Sequence, residues 1–480
     1  MRTSLQAIVA SSEWFGGVEY PYCKDGFCQI TENRRRIGGI TSDNCLTFVV
    51  FLYPPFSPFT PFHFLTVSAI LIRHIALLAQ VEAHPRRLVA GADMAYLPTI
   101  AEAYLLIKDG LIADFGTMTQ CPTPTPDMQV IEAHGKMVLP CWCDSHTHIV
   151  YAGSREAEFT DRIRGMSYEQ ISAKGGGILN SARLLQQTPE SILFEKALQR
   201  LQAMMRFGTG AVEIKSGYGL SFEGELKMLR VIKQLKSASP LTIKSTFLGA
   251  HAIPAEYKSN RSGYISLLTD RLLPTIADEG LADFIDVFCE RGFFTVDETA
   301  RILEAGAQYG LRGKIHANEL DYSGGVQVGV HYNALSVDHL ECVSDAEIHT
   351  LLNSETMPTV LPSTAFFLGL SYAPARRMIA AGLPVALATD SNPGSSPSGN
   401  MPFVLSLACI KMKMLPEEAV NAATLNSAYA MDVEEELGTI AVGKRANVFI
   451  TQRIPSLAYL PYSFGTNLVE TVIINGAVQA

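Results

Sequence analysis

The segment Val138-Leu-Pro-Cys-Trp-Cys-Asp-Ser-His-Thr-His148 ends a short apolar run with two histidines that are one residue apart. Alternate residues of an extended chain point to the same side, so His146 and His148 present two imidazoles in one direction. Two imidazoles placed in this way are typical ligands of one metal ion. A packed strand end explains the two histidines equally well, so a metal site is indicated only if other parts of the chain supply further ligands.

Three further polar segments end apolar runs later in the chain. They are His316-Ala-Asn-Glu319, Ser336-Val-Asp-His339-Leu-Glu341 and Leu387-Ala-Thr-Asp390-Ser-Asn-Pro-Gly394. Each segment on its own could consist of polar groups that are hydrogen-bonded at a strand end and have no further role. Four such segments in succession indicate instead that the strand ends share one site.

Short apolar runs alternate with longer helical patterns between residues 137 and 426. The runs are Met137–Leu139, Ala211–Ile214, Thr242–Leu248, Phe284–Phe288, Gly313–His316, Ala334–Val337, Thr359–Leu361 and Val385–Ala388, and the helical patterns include Glu190–Met205, Phe222–Ser237 and Asp297–Gln308. Eight strands that alternate with helices predict an α/β fold with a parallel (β/α)8 TIM barrel, whose chemistry lies at the carboxyl ends of the strands. A doubly wound sheet is the alternative, but no Gly-x-Gly-x-x-Gly follows a strand and there is no Walker A motif.

Both ends of the chain carry short strand patterns outside this alternating region. Leu105–Ile112 surrounds the turn Asp109-Gly110, and Val448–Ile450 and Val469–Ile474 lie near the C-terminus. We therefore predict a small β-sandwich built from residues 69–136 and 431–480, with the barrel at 137–430. Residues 1–68 show no clear periodicity and are predicted to be a poorly ordered extension of unknown role.

Composition excludes several classes of protein. The 480 residues hold 38 Lys and Arg against 47 Asp and Glu, a net charge of −9 that provides no basic footprint for nucleic acid or an anionic membrane surface. The run from Cys45 to Ile72 lacks ionised side chains, but prolines interrupt it and no membrane span is expected. The nine cysteines contain no paired Cys-x-x-Cys units, so reduced thiols in the cytoplasm are the simplest interpretation.

The motifs taken together resemble the amidohydrolase superfamily from about Ala69 to Ala480 and, within it, the imidazolonepropionase family. The segments that carry the finer resemblance are Asp144–His148 with Arg155, Gly175-Gly-Gly-Ile178, Glu213-Ile-Lys-Ser-Gly-Tyr-Gly219, Phe247-Leu-Gly-Ala-His-Ala-Ile-Pro254, His316–Glu319, Asp338–Glu341, Thr389–Gly394 and Gly438–Asn447. Cys141 departs from the glycine that usually follows this proline. The N-terminal extension has no counterpart in the family.

The resemblance implies a fold, a cofactor and a reaction. The fold is a distorted barrel with a β-sandwich from both chain ends, and the cofactor is one divalent or trivalent metal ion per chain, zinc or iron. The reaction is hydrolysis of 4-imidazolone-5-propanoate to N-formimidoyl-L-glutamate in histidine degradation, by a cytoplasmic homodimer. Lys215 does not stand where a carboxylated lysine would bridge two metals, so a single-metal site is expected.

The resemblance also assigns roles to individual residues. The implied metal ligands are His146, His148, His316 and Asp390; the implied catalytic residues are Glu319, His339 and Asp390; the implied substrate-binding residues are Arg155, Tyr218, His251, Glu319, Asn392, Gly394 and Ser395. Arg155 suits a substrate carboxylate because guanidinium binds it through two parallel hydrogen bonds. A surface salt bridge for Arg155, a core position for Tyr218 and a capping role for His251 remain open.

Two other functions are compatible with these motifs. Another single-metal amidohydrolase, such as a purine or pyrimidine deaminase, would show much the same metal motifs, and a catalytically inactive barrel with a binding or assembly role is the second alternative. The remaining histidines have no motif around them and are interpreted as surface or packing residues: His63, His74, His84, His134, His331 and His349.

Overall fold

The computed structural model describes residues 69–479, apart from 167–169, 171–173 and 175. The chain divides into two units, Met1–Thr66 and Val67–Ala480. The first unit, and with it the expectation of a poorly ordered extension at residues 1–68, lies outside the described residues.

Sixteen strands are present in the described part of the chain. They are β1 Ala69–Ala79, β2 Thr99–Lys108, β3 Leu111–Thr117, β4 Met128–Glu132, β5 Lys136–Pro140, β6 Trp142–Asp144, β7 Thr209–Lys215, β8 Thr242–Ala250, β9 Phe284–Cys289, β10 Arg312–Ala317, β11 Ser336–His339, β12 Met357–Val360, β13 Ala386–Leu387, β14 Val448–Arg453, β15 Val469–Ile474 and β16 Ala477–Val478. They form two sheets of eight strands each.

Most of the helices connect the strands of the second sheet. The α-helices are Glu156–Ile163, Ile178–Gln187, Glu190–Arg206, Phe222–Ala238, Arg261–Ser266, Leu273–Glu279, Val296–Ala307, Gly325–His331, Asp345–Leu352, Pro362–Leu368, Ala375–Ala380, Met401–Met412, Pro416–Ala423, Leu425–Tyr429 and Tyr459–Tyr462, with a π-helical turn at Leu267–Leu272 and 3₁₀ turns at Gly91–Ala95, Met118–Gln120 and Ala255–Tyr257. The three helices expected from the sequence are present within one residue of their predicted ends. In the part of the chain that the structure describes, no helix is both long and apolar enough to cross a bilayer.

The second sheet is the predicted barrel. Strands β6 to β13 follow each other in sequence order and pair in parallel. The segments that follow the first and last strands meet through a parallel bridge between Thr147 and Ser391, and the Asp390 amide donates to the His146 carbonyl at 3.0 Å. The barrel prediction is confirmed, and its closing seam lies beside the predicted metal ligands.

The other sheet unites the two ends of the described unit, which confirms the prediction of a β-domain made from both. Its order is β16-β15-β14-β5-β1-β2-β3, with β4 paired to β1. One strand assignment was wrong: Met137–Leu139 belongs to β5 in this sheet, where it pairs with β14 and β1, and not to the barrel. The first barrel strand is instead β6, which is only three residues long.

A tight contact holds the connection between the two sheets. Cys141 lies between β5 and β6, and a Cβ placed on Gly210 of β7 would lie 2.5 Å from the Cys141 Cβ. Gly210 therefore leaves room for the side chain that stands where the related family usually has glycine. The Trp142 and Phe449 rings pack next to this contact, with centroids 4.9 Å apart.

This contact makes a stability prediction. Gly210→Ala should lower the free energy of unfolding by about 1–3 kcal/mol, because an extra methyl group in a filled core forces its neighbours to move. The measurement is the denaturant midpoint of each variant. The double variant Cys141→Gly with Gly210→Ala should recover most of the lost stability, because Cys141→Gly removes the atoms with which the new methyl group collides. Additive losses in the double variant would contradict the proposed contact.

Candidate active site

The four predicted metal ligands converge at the carboxyl end of the barrel. His146 and His148 follow β6, His316 lies in β10 and Asp390 follows β13, and all four side chains are buried. The Nε2 atom of His148 lies 3.2 Å from that of His146 and 3.4 Å from that of His316. The Oδ1 atom of Asp390 lies 3.6 Å from His146 Nε2 and 3.5 Å from His148 Nε2. Zinc bonds of 2.0–2.1 Å in a tetrahedral arrangement separate the ligand atoms by about 3.3 Å, so this donor set fits a metal ion.

Two carboxylates, on the strands that flank β10, lie behind the histidine rings. Asp338 of β11 lies 2.6 Å from His146 Nδ1. Asp286 of β9 lies 3.0 Å from His316 Nδ1 and also accepts from the His316 amide at 3.2 Å. The carboxylate bonded to His146 Nδ1 keeps the proton on that atom and leaves Nε2 free as a ligand, whereas Asp286 approaches His316 Nδ1 without hydrogen-bond geometry.

Lys215 lies in the middle of these carboxylates. Its Nζ atom is 2.6 Å from Glu213, 2.8 Å from Asp286 and 3.5 Å from Asp338, and all four side chains are fully buried. Burial opposes protonation, but the three carboxylates outweigh it and raise the pKa of Lys215 above its ordinary value. Lys215 is therefore held as an ammonium group in a buried ion cluster.

Burial keeps the clustered histidines neutral. It lowers the pKa of His146, His148 and His316 well below the ordinary value, and neighbouring positive groups act in the same direction. A neutral imidazole is the form that binds a metal ion. Burial also raises the pKa of Asp390 to about 6, while His339 and the Thr364 hydroxyl oppose the rise.

His339 lies between two carboxylates beside this cluster. Its Nδ1 atom is 3.8 Å from Glu319 and 3.8 Å from Glu341. Burial opposes protonation of His339, but Glu319, Glu341 and Asp390 raise its pKa to about 10. Burial raises the pKa of Glu319, against the effect of His339. The arrangement places titratable groups side by side next to the ligand cluster.

The backbone is strained at these strand ends. The φ angles of Asn318, His339, Leu340 and Asp390 are 56°, 84°, 66° and 51°, a region that residues other than glycine seldom adopt. Such conformations persist only where the surroundings impose them, and they concentrate at functional sites. Here they direct side chains from β10, β11 and β13 to a common point.

A cavity of about 520 Å³ opens above the cluster. Its lining includes every predicted site residue except His146, which lies beneath the floor, and it adds Arg162, Met166, Ile178, Phe288, Phe293, Leu320, Leu368 and Leu370. One wall is apolar, with the Phe288 and Phe293 rings 4.3 Å apart. The cavity is of a size that small-molecule sites usually have.

Arg155 lies in the wall of this cavity and is held in place by a partner. Its Nε and Nη2 atoms donate to Glu158 at 2.9 and 2.6 Å. Its Nη1 end approaches Gly394 so closely that any side chain at that position would collide with the guanidinium. The salt bridge left open by the sequence exists, but it lies at the cavity and not on the outer surface.

Tyr218 and His251 present neutral groups to the same cavity. His251 Nδ1 lies 3.2 Å from the carbonyl oxygen of Gly217, which only accepts, so Nδ1 carries the proton and Nε2 is an acceptor. Burial lowers the pKa of His251 to about 4 and raises the pKa of Tyr218 far above its ordinary value. Both side chains therefore offer uncharged hydrogen-bonding atoms at neutral pH.

The loop after β13 uses its polar groups internally. Asn392 Oδ1 accepts from the Gly394 amide at 2.8 Å and from the Ser395 amide at 2.9 Å, and Asn392 Nδ2 donates to the Asp390 carbonyl at 2.7 Å. The Asn392 side chain therefore occupies the amides of Gly394 and Ser395. Direct contact of these residues with substrate stays a prediction.

The sequence interpretation missed the residues beneath the metal ligands. Asp286, Asp338 and Lys314 are charged residues within apolar barrel strands, and all are fully buried. Lys314 pairs with Glu213 and donates to the carbonyls of Ser145 and Ala430 at 3.2 and 2.9 Å. A charge in an otherwise apolar strand of a barrel was the available signal, since such a charge needs a buried partner.

Comparison with known proteins places this geometry in context. The family model described as "Amidohydrolase family" matches residues 137–478. An imidazolonepropionase of Flavobacterium johnsoniae is 57% identical over 408 residues, which is 85% of this chain and 99% of the relative. One from Brevibacillus brevis is 42% identical and covers 85% of this chain and 97% of the relative.

Solved structures share the fold at low identity. A mutant atrazine chlorohydrolase from Arthrobacter aurescens TC1, complexed with zinc and atraton, has a TM-score of 0.64 at 14% identity over 85% of this chain and 94% of its own. An adenosine deaminase from Xanthomonas campestris with bound zinc has a TM-score of 0.62 at 16% identity over 85% and 92%. At such identity the likeness concerns the fold alone.

Proposed function

We propose, for a chain that belongs to the amidohydrolase family and within it to the imidazolonepropionases, that it hydrolyses the ring C–N bond of 4-imidazolone-5-propanoate to give N-formimidoyl-L-glutamate. The observation that supports this most directly is one cavity with His148, His316 and Asp390 in its lining next to the buried His146, and with Arg155 in its wall. Hydrolysis of a ring amide needs the ligand cluster, and binding of a propionate side chain needs the positive charge of Arg155. A deaminase acting on a neutral base has no need of a cationic clamp.

The metal site in this proposal consists of His146, His148, His316 and Asp390, and it holds one zinc or iron ion. Imidazole and carboxylate ligands suit both metals. When bound, the ion supplies Lewis-acid chemistry and lowers the pKa of water from 15.7 towards about 7. Asp338 and Asp286 keep the two outer histidines oriented, which is the usual role of a carboxylate behind a metal-binding imidazole.

Protons move, in this proposal, between the attacking water and the ring nitrogen. The oxygen of water joins the carbonyl carbon, the C–N bond breaks, and the nitrogen leaves with a proton. Glu319, His339 and Asp390 are the residues that carry protons, and Glu319 is suited to both directions because its raised pKa brings it nearer neutral pH.

Substrate recognition rests on the cavity wall. Arg155 holds the propionate carboxylate, Tyr218 and His251 bind the polar ring atoms, and Asn392, Gly394 and Ser395 shape the side next to Asp390. Gly394 has a second role in the proposal, because only glycine leaves space for the Arg155 guanidinium.

The setting in the cell is a further part of the proposal. We infer a cytoplasmic homodimer that binds neither nucleic acid nor membrane. The described cysteines are free thiols, as the cytoplasm favours, and the net charge of −9 gives no basic surface.

Removal of the metal should abolish hydrolysis. Chelator-treated protein is expected to lose activity towards imidazolonepropionate, and zinc or iron should restore it, because uncatalysed water is a poor nucleophile at neutral pH. Chelator followed at once by excess metal is the control. Full activity in protein shown to be metal-free would refute the metal mechanism.

Glu319→Gln should lower kcat by about 10²–10⁴-fold, the usual contribution of general acid–base catalysis. The amide keeps the shape of the side chain and cannot carry the proton. Glu256→Gln, at an exposed carboxylate, is the matched control and should leave kcat unchanged. A kcat near the original value in the Glu319 variant would remove this residue from proton transfer.

Arg155→Ala should weaken substrate capture more than the chemical step. Loss of a charge-assisted pair of about 1.5–3 kcal/mol corresponds to a fall of about 10–100-fold in kcat/KM. Arg155→Lys should recover only part, since lysine lacks the planar fork. Arg183→Ala, at an exposed arginine, is the control. An unchanged kcat/KM in Arg155→Ala would contradict the clamp.

A further inference from the structure

Three ligand-type side chains meet on the β-domain, away from the cavity residues. His74 lies in β1, Glu132 ends β4 and His134 follows it, and none of the three lines the catalytic cavity. Neither histidine stands in a motif, and both were expected to be surface or packing residues. Their proximity comes from the pairing of β1 with β4.

The backbone fixes this proximity. Arg73 of β1 pairs in register with Glu132 of β4, and the Ala133 amide donates to the Arg73 carbonyl at 2.8 Å. A bulge between Ile72 and Ile75 gives His74 a φ of 53°. A bulge re-aims a side chain that would otherwise follow the alternation of the strand.

The side chains have the geometry of an open metal site. The Nε2 atoms of His74 and His134 each lie 3.8 Å from Glu132 Oε2, and the three ligand atoms lie within 4.8 Å of one another. The two imidazole rings stack with centroids 4.4 Å apart and an interplanar angle of 15°. Tetrahedral zinc needs ligand atoms about 3.3 Å apart, so small side-chain rotations complete the arrangement.

Arg73 prepares the carboxylate for this role. Its Nε atom donates to Glu132 Oε1 at 3.1 Å, which leaves Oε2 directed at the histidines. The side chains of His74, Glu132 and His134 are 37%, 39% and 60% exposed, and an ion reaches them from solvent.

We propose that His74, Glu132 and His134 form a second metal site, which binds a divalent transition-metal ion of the zinc class. Two imidazoles and one carboxylate suit Zn²⁺, Ni²⁺ or Cu²⁺ and not Mg²⁺ or Ca²⁺. Three protein ligands leave at least one position for water. Such an ion ties β1 to the segment after β4 and stabilises the folded β-domain by mass action.

The test is a Zn²⁺ titration of the full chain after its catalytic centre has been filled. Calorimetry and metal analysis after equilibrium dialysis should give two zinc ions per chain in the unaltered protein and one in His134→Ala. The His134 variant should keep its hydrolytic activity, which shows that the catalytic ion is in place.

Two further variants make the result decisive. Glu132→Gln should lower the affinity of the second site for zinc by about tenfold or more. This is the size of effect that follows when a group that orients a metal ligand is removed. His84→Ala, at an exposed histidine outside the cluster, should keep two ions per chain. One ion in the unaltered protein, or a second ion whose affinity is unchanged in His134→Ala, would overturn the proposal.

Discussion

The ion pairs of Lys215 at the centre of the barrel are the interaction on which the active site depends. A buried charge is tolerated only when partners surround it, and Lys215 has three carboxylates from β7, β9 and β11. Two of these, Asp286 and Asp338, also hold His316 and His146. Loss of one partner from a buried ion pair typically costs about 3–5 kcal/mol, and here it would also release a histidine from its orientation.

The sequence was sufficient for the barrel because the signal repeats along the chain. Apolar runs that end in polar residues recur at β10, β11 and β13, and parallel strands bring their carboxyl ends to one edge. The exception was Met137–Leu139, whose apolar pattern is the same as that of a barrel strand. Its sheet is decided by pairing with β14, more than 300 positions later in the chain, and no local pattern encodes such a partner.

The site was predictable at the level of which residues gather, and less so at the level of how they are held. His146, His148, His316 and Asp390 stand out because their motifs are local. The bonds of Asn392 to the amides of its own turn, and the stacking of His74 on His134, depend on side-chain conformation and on pairing between distant strands. Neither is visible in periodicity or composition.

The seam of the barrel has a consequence for folding. Its two strands, β6 and β13, are three and two residues long, and the seam is reinforced where Asp144 accepts from the amide and hydroxyl of Thr389, 245 positions away. Closing a loop of that length is entropically costly, and a cross-link across it favours the folded state. An ion shared by His148 and Asp390 would be such a cross-link. Metal binding would then favour closure of the barrel, and closure would favour metal binding by the same free energy. A chain that has not yet joined the two sides of the seam would then have neither a complete barrel nor a complete set of ligands.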